Sequence, residues 1–261
     1  MLSTITSYKM LTKDLQKSLD RVGDTPEVKR ETKYYQDTIG SIKTIDDFLK
    51  NDRIYRYAMK AFGLSDMVYA KAFVKKVLTE GIDSSKSFTN QLTDPRFKDL
   101  ATTFNFKSLG TTTTIFDKVQ KGVVSKYLEV KLEENAGSSN EGVRLALYFK
   151  RKASEITSAY SILGDPALYK VAQVALGLTP SSNSNSLDIQ AKIIADKIDL
   201  KHISDPAVLD KFLTRFSTMY EAANSTAANS APAVILSQGV ASLTSIDTLT
   251  KIQSLRSGGR S

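Results

Sequence analysis

The side chains that carry most enzyme chemistry are scarce in this sequence. There is one histidine, His202, and no cysteine. A Ser–His–Asp relay would need His202 as its base. Its setting, Lys201-His202-Ile203-Ser204, holds no nucleophile elbow. A lone histidine after a short turn reads as a surface or capping residue. Without cysteine there can be no disulfide, zinc–thiolate centre, iron–sulfur cluster or thiol nucleophile. A metal would need an all-carboxylate site. The adjacent pairs Asp46-Asp47 and Glu133-Glu134 are expected to point to different helix faces and not to converge. No dinucleotide fingerprint, phosphate loop or calcium loop is present. Tyr34-Tyr35 and Tyr148-Phe149 could stack on bases, but their helical spacing beside Leu and Ile reads as core. Asn224-Ser225-Thr226 fits a glycosylation acceptor, with nothing else pointing to a secretory setting. Residue chemistry therefore assigns no catalytic, cofactor-binding or metal-ligating residue. The chain is expected to be no enzyme and to need no cofactor.

Charge adds one constraint. The 36 basic and 28 acidic residues give a net charge of +8. A basic balance permits anionic partners, but the cations are spread along the chain and interleaved with acids. That pattern reads as solvated helix faces, which makes nucleic acid an unfavoured partner. No small-molecule substrate is predicted. No apolar run approaches the ~18 residues of a spanning helix, and the first residues lack the apolar stretch of a cleaved signal.

The elements that would position any site are helices throughout. The organising stretch is Glu141–Leu178. Leu145, Phe149, Ile156, Tyr160 and Leu163 fall on one helical face, opposite Arg144, Lys150, Arg151 and Glu155. Gly164 stops this helix, Asp165-Pro166 starts the next, and Gly177 ends it. Residues 34–64 align with 148–178 without a gap at a shift of about 114 positions. Tyr34 meets Tyr148, Ile42 meets Ile156, Tyr55 meets Tyr169, and Gly63-Leu64 meets Gly177-Leu178. With small gaps, Asp94-Pro95 meets Asp205-Pro206. We read this as a duplicated helical unit.

The resulting scheme is all-α, with two tandem related multi-helix units packed as an array or bundle and extra amphipathic helices at both termini. Residues 1–33 form an N-terminal extension that projects or pairs with another segment, through Ile5, Tyr8, Leu11, Leu15 and Leu19. Residues 34–106 form the first unit. In it, Thr44 with Asp47 makes a capping-box start, and Ser65 caps a helix through Val68, Phe73, Val77 and Leu78. Residues 107–114, Gly with β-branched polar residues, form a linker. Residues 115–222 form the second unit with its leading helix, with a flexible loop at 179–186. Residues 223–261 form a linker, an apolar helix over 234–255 and a disordered tail.

The strings Leu145–Phe149, Ala175–Leu178, Ala61–Leu64, Asp94–Phe97 and Phe104–Phe106 resemble an alphaproteobacterial family, domain of unknown function twelve-seventeen. The resemblance spans about residues 34–222. Genes of that family often lie among flagellar genes, and no catalytic residues are established for it. The resemblance implies a bacterial, non-enzymatic, flagellum-associated structural or assembly protein acting through helix-face contacts. It would meet other flagellar proteins or self-associate through its terminal helices. It would sit in the cytoplasm or basal body, or be exported without a cleaved signal. The alternative is a cytoplasmic helical regulator with a basic nucleic-acid-binding face. A third reading, an enzyme or small-ligand binder, requires a sizeable cleft with convergent polar groups between the two units.

Overall fold

The computed structural model describes residues 2–178 and 186–224, and among these every regular element is helical. The chain divides into two units, Met1–Glu221 and Ala222–Ser261, and the packing below lies within the first. Its elements are α1 (Thr4–Lys13), α2 (Leu15–Gly23), α3 (Pro26–Ile39), α4 (Ile45–Lys50), α5 (Asp52–Ala61), α6 (Lys71–Glu80), α7 (Phe88–Gln91), α8 (Pro95–Thr103) and α9 (Phe106–Leu109). There follow α10 (Asp117–Gly137), α11 (Glu141–Lys152), α12 (Ala159–Leu163), α13 (Pro166–Leu176), α14 (Leu187–Lys197) and α15 (Pro206–Asn224).

The hub is α10, not the stretch after it. At 21 residues it runs about 31 Å and packs on α2, α3, α5 and α11. Of its buried residues, Val119, Val123, Tyr127, Val130 and Glu133 share one face at helical spacing, while Leu132 lies on the opposite side. Tyr57 stacks between Tyr35 and Tyr127, with ring centres 4.5 and 3.8 Å away. The Tyr35 hydroxyl donates to the Val119 carbonyl at 2.9 Å. Two helices, α3 and α5, are thus pinned to α10 by one aromatic column and one hydrogen bond.

Local structure repeats at the aligned positions. Thr44 caps α4 and Ser158 caps α12; Asn51 caps α5 and Asp165 caps α13. The Thr44–Asp47 capping box forms as expected. α5 and α13 both end at a left-handed glycine, Gly63 at φ 69° and Gly177 at φ 65°, a conformation that disfavours any Cβ. In both, the next leucine's N–H bonds back into the last turn, Leu64 to Met59 O and Leu178 to Gln173 O. α3 packs on α5 as α11 packs on α13, and α4 lies on α5 and α6 as α12 lies on α13 and α14.

Several expectations need correction. Of the two expectations for the N-terminal segment, pairing with another segment holds and projection does not: it breaks at Asp14 into α1 and α2, α1 packs on α11, and Tyr8 and Leu19 are buried. Asp14 causes the break because its carboxylate accepts the Lys17 N–H and caps α2. The organising helix also breaks. A 3₁₀ turn over Ala153–Glu155 follows α11, and Ser158 restarts the chain as a cap. Tyr160 therefore faces solvent, Ile162 takes the buried position, and Arg151 turns inward. The helix placed after Ser65 starts at Lys71, behind a 3₁₀ turn at Ser65–Met67.

Residues 107–114 are no linker. They close α9 and run into a 3₁₀ helix, with Thr113 and Thr114 buried. Each hydroxyl satisfies itself on a backbone carbonyl: Thr113 on Gly110, Thr114 on Ile42. That is how polar β-branched residues enter a core. The loop at 179–185, the linker and apolar helix beyond 224, the tail and any pairing of the terminal helices lie outside the described residues.

Candidate functional site

A cleft of about 630 Å³ opens where residues from both sequence halves meet. Its floor is α10, with Val130, Glu133 and Glu134. One wall carries the α5 terminus, Phe62-Gly63, and the α8 start, Asp94-Pro95-Arg96. The other carries Arg144, Tyr148, Arg151 and Lys152 of α11 and the α13 start, Gly164 to Ala167. Both Asp-Pro pairs are there for a local reason. Proline opens each helix without losing a needed N–H, and the aspartate side chain accepts the free N–H groups behind it.

The polar groups of the cleft are engaged with one another. Arg151 binds Glu133 through two hydrogen bonds, at 2.6 and 2.9 Å. Burial alone would depress the Arg151 guanidinium; the Glu133 carboxylate outweighs it and raises its pKa. Arg96 forks onto Asp94 at 2.7–3.0 Å and donates to the Gly63 carbonyl at 2.5 Å. Burial pushes the Asp94 carboxyl up, but the Arg96 hydrogen bonds win and hold it below the ordinary range. Lys152 reaches Asp99 at 3.0 Å and Glu155 at 2.5 Å. The Tyr148 hydroxyl donates to Asp165 at 2.5 Å, and burial together with that bond pushes its pKa well up. Asp165 also accepts the Ala167 and Leu168 N–H groups, at 2.8 and 3.0 Å. The arrangement ties the α8, α10, α11 and α13 ends together and leaves a walled, partly apolar space between them.

The residues weighed for chemistry fall as follows. His202 lies away from the cleft, exposed, with its ring 2.8 Å from the Asp199 carboxylate. Asp47 is spent on its capping box, and Asp46 pairs with Lys75 at 2.7 Å. Glu133 and Glu134 both reach the cleft but take different partners, Arg151 for one and Lys60 for the other. Tyr35 and Phe149 are core, while Tyr34 and Tyr148 are half-buried with a guanidinium near each ring. Among the described residues no cluster of three acids or histidines is placed to hold a metal ion. Nor is any helix long and apolar enough to cross a membrane. Sequence reasoning used the Asp94 and Asp165 caps only as helix starts. That two such starts bracket α10 was the signal that could have located the cleft.

No curated protein matches the chain. In structure it is similar to protein AGR_C_984 from Agrobacterium tumefaciens, whose crystal structure matches with a TM-score of 0.79 and 45% sequence identity, over 85% of this chain and 94% of that one. A family described as "Protein of unknown function (DUF1217)" matches residues 61–209, a span that includes both Asp-Pro starts and the whole of α10. On that match over more than half of its length, the chain belongs to the DUF1217 family.

Proposed function

We propose that this chain is a non-enzymatic structural or assembly protein of the bacterial flagellum, working through protein–protein contacts made by helix faces. The observation that carries the non-enzymatic part is the mutual pairing inside the cleft. Arg151 with Glu133, Arg96 with Asp94, and Tyr148 with Asp165 occupy one another. A general acid, base or nucleophile has to be held ready for a substrate, and these groups are held ready for each other. Helix faces outside the cleft support contact-making: Tyr160, Leu187 and Ile189 stand more than half exposed, as side chains kept for a partner do. The flagellar part draws on the family resemblance and the gene neighbourhood that goes with it.

The test is a clean deletion strain, scored for swimming and filament length, with the tagged protein followed in cytoplasm, basal bodies and medium. We expect impaired motility with the protein in the basal-body or secreted fraction. Normal swimming with the protein confined to the cytoplasm overturns the reading. The cleft itself favours a second reading, a binder of a small ligand between the halves. The same strain complemented with a cleft variant separates the two.

A further inference from the structure

Beside the large cleft, α2, α10, α11 and α15 frame a second cavity of about 310 Å³. Leu132, Leu147 and Leu209 give it buried apolar walls. Its polar lining is of two kinds. Glu133 and Arg151 are spent on each other. Glu129, Lys150, Ser154 and Ser204 are not: among the described residues none of these four side chains has a hydrogen-bond or ion-pair partner. Glu129 stands one turn before Glu133 on α10, and Lys150 directly precedes Arg151 on α11. One unpaired anion and one unpaired cation therefore line the same cavity without pairing with each other. Burial is the main influence on the Glu129 carboxyl and raises its pKa; Arg151 opposes this only through space, because Glu133 holds it. A carboxyl half-buried with no partner in its own chain costs stability. That is the mark of a side chain kept for a ligand rather than for the core.

We propose that this cavity binds a free amino acid with an apolar side chain, its ammonium group on Glu129, its carboxylate on Lys150 and its side chain against Leu132, Leu147 and Leu209. The chemistry follows from what the cavity leaves open. A molecule carrying both charges satisfies both residues at once, whereas a simple amine or a simple carboxylate satisfies one and leaves the other unpaired. Hydrogen bonds between such charged groups are the strong ones, more so where water is partly excluded. The exposed hydroxyls of Ser154 and Ser204 mark the mouth and supply donors to the ligand's oxygens. Size agrees: about 310 Å³ is at the small end of ligand sites, room for one amino acid. The Glu133–Arg151 pair holds α10 to α11, so the two open charges stand on a fixed frame. No bond is made or broken, and the site does not rest on the flagellar reading.

The test is calorimetric titration of the full chain with leucine, methionine and phenylalanine. We expect at least one of them to bind. For leucine, two relatives each remove one charge: isocaproate lacks the ammonium group and isoamylamine lacks the carboxylate. Each should bind about tenfold more weakly than leucine, and glycine, with nothing for the apolar walls, should be weakened by a similar factor. Glu129→Gln should weaken leucine about tenfold and erase its advantage over isocaproate; Lys150→Gln should do the same against isoamylamine. Glu129→Gln relieves the burial of a charge, so it should melt no lower than the parent, which separates lost binding from lost folding. Lys192→Gln, on the exposed side of α14, should bind like the parent. No binding of any of the three amino acids at about 10 mM overturns the proposal. So does leucine binding undiminished in Glu129→Gln or in Lys150→Gln, or isocaproate or isoamylamine binding as tightly as leucine.

Discussion

Arg151 of α11 and Glu133 of α10 face each other through two hydrogen bonds, at 2.6 and 2.9 Å, with side chains 12% and 7% exposed. This pair sits between two cavities, since both residues line the large cleft and the smaller one beside it. It marks the join between the hub helix and the second half of the chain. Two charges taken this far out of water are stable only together.

Removing one partner should therefore be severe. Arg151→Met leaves Glu133 buried without its cation, at a cost of about 3–5 kcal/mol. The double variant Glu133→Leu with Arg151→Met removes both desolvation penalties, so it should recover most of that loss. Urea unfolding of the two singles and the double, closed as a mutant cycle, measures this. A double variant as unstable as the sum of the singles would mean that the two side chains are not coupled and that the ion pair is not what makes each single variant costly.

Glu129, one turn before Glu133 on α10, lines the smaller cavity of about 310 Å³. Burial raises its carboxyl pKa above 4.5, opposed by Arg151 and reinforced by Glu133. The folded chain thus holds this proton to higher pH than the unfolded chain does. Its contribution to stability is complete below the unfolded-state value and is lost as pH rises through the folded-state value. Glu129→Gln should raise the melting temperature at pH 7 by about 2 °C. The gap between variant and parent should close near pH 4. A melting temperature that falls at pH 7 would show that attraction to Arg151 outweighs the burial penalty.

What was legible in the sequence follows from which interactions are local. Thr44 with Asp47, the Asp94 and Asp165 caps and the stops at Gly63 and Gly177 depend on four or five consecutive residues, and each is found where the pattern put it. The all-helical class rests on the same local signals. Errors came where distant contacts decide. Thr113 and Thr114 read as linker because their hydroxyl acceptors are invisible in a one-dimensional pattern, and one of those acceptors lies at Ile42. Arg151 read as solvent-facing because its partner is on another helix. α10 was read as a leading helix because its stripe through Val119, Val123, Tyr127 and Val130 shows that a face is buried but not how many helices pack around it. The cleft was invisible for the same reason: its polar groups are each ordinary cap or surface residues until the helices bring them together.

His202 offers a direct check of the loop after α14. Its ring nitrogen lies 2.8 Å from the Asp199 carboxylate, which raises the imidazole pKa above 6.5 through that bond and its charge. The small stabilisation from this exposed pair is complete below 6.5 and fades as pH rises through the raised value. With one histidine in the chain, a single ring resonance reports it. Proton NMR should give a midpoint above 6.5 in the parent, falling back in Asp199→Asn. Identical midpoints would mean that the loop does not hold the two side chains together.

Gly142 and Gly40 should respond in opposite ways to the same methyl. Alanine is ordinarily preferred over glycine within a helix by about 1 kcal/mol. Gly142 lies in the first turn of α11, where a Cβ would sit 2.5 Å from the Tyr220 ring and 2.8 Å from the Thr4 methyl. That spot joins α1, α11 and α15. The Thr4 N–H donates to Glu221 at 2.7 Å, and the Asn140 amide donates to the Thr4 hydroxyl at 3.0 Å. Two ring carbons and a methyl cannot all withdraw without loosening those bonds, so Gly142→Ala should cost about 1–3 kcal/mol and lower the melting temperature by about 5 °C. Gly40 ends α3 in right-handed helical geometry, with nothing within 4 Å of a Cβ. Gly40→Ala should be neutral or stabilising by about 0.4–1 kcal/mol, because it restricts only the unfolded chain. Thermal unfolding of the two variants side by side checks the pair. If Gly142→Ala were as benign as Gly40→Ala, α1 would not be clamped between α11 and α15, and the N-terminal segment would be free to leave the core after all.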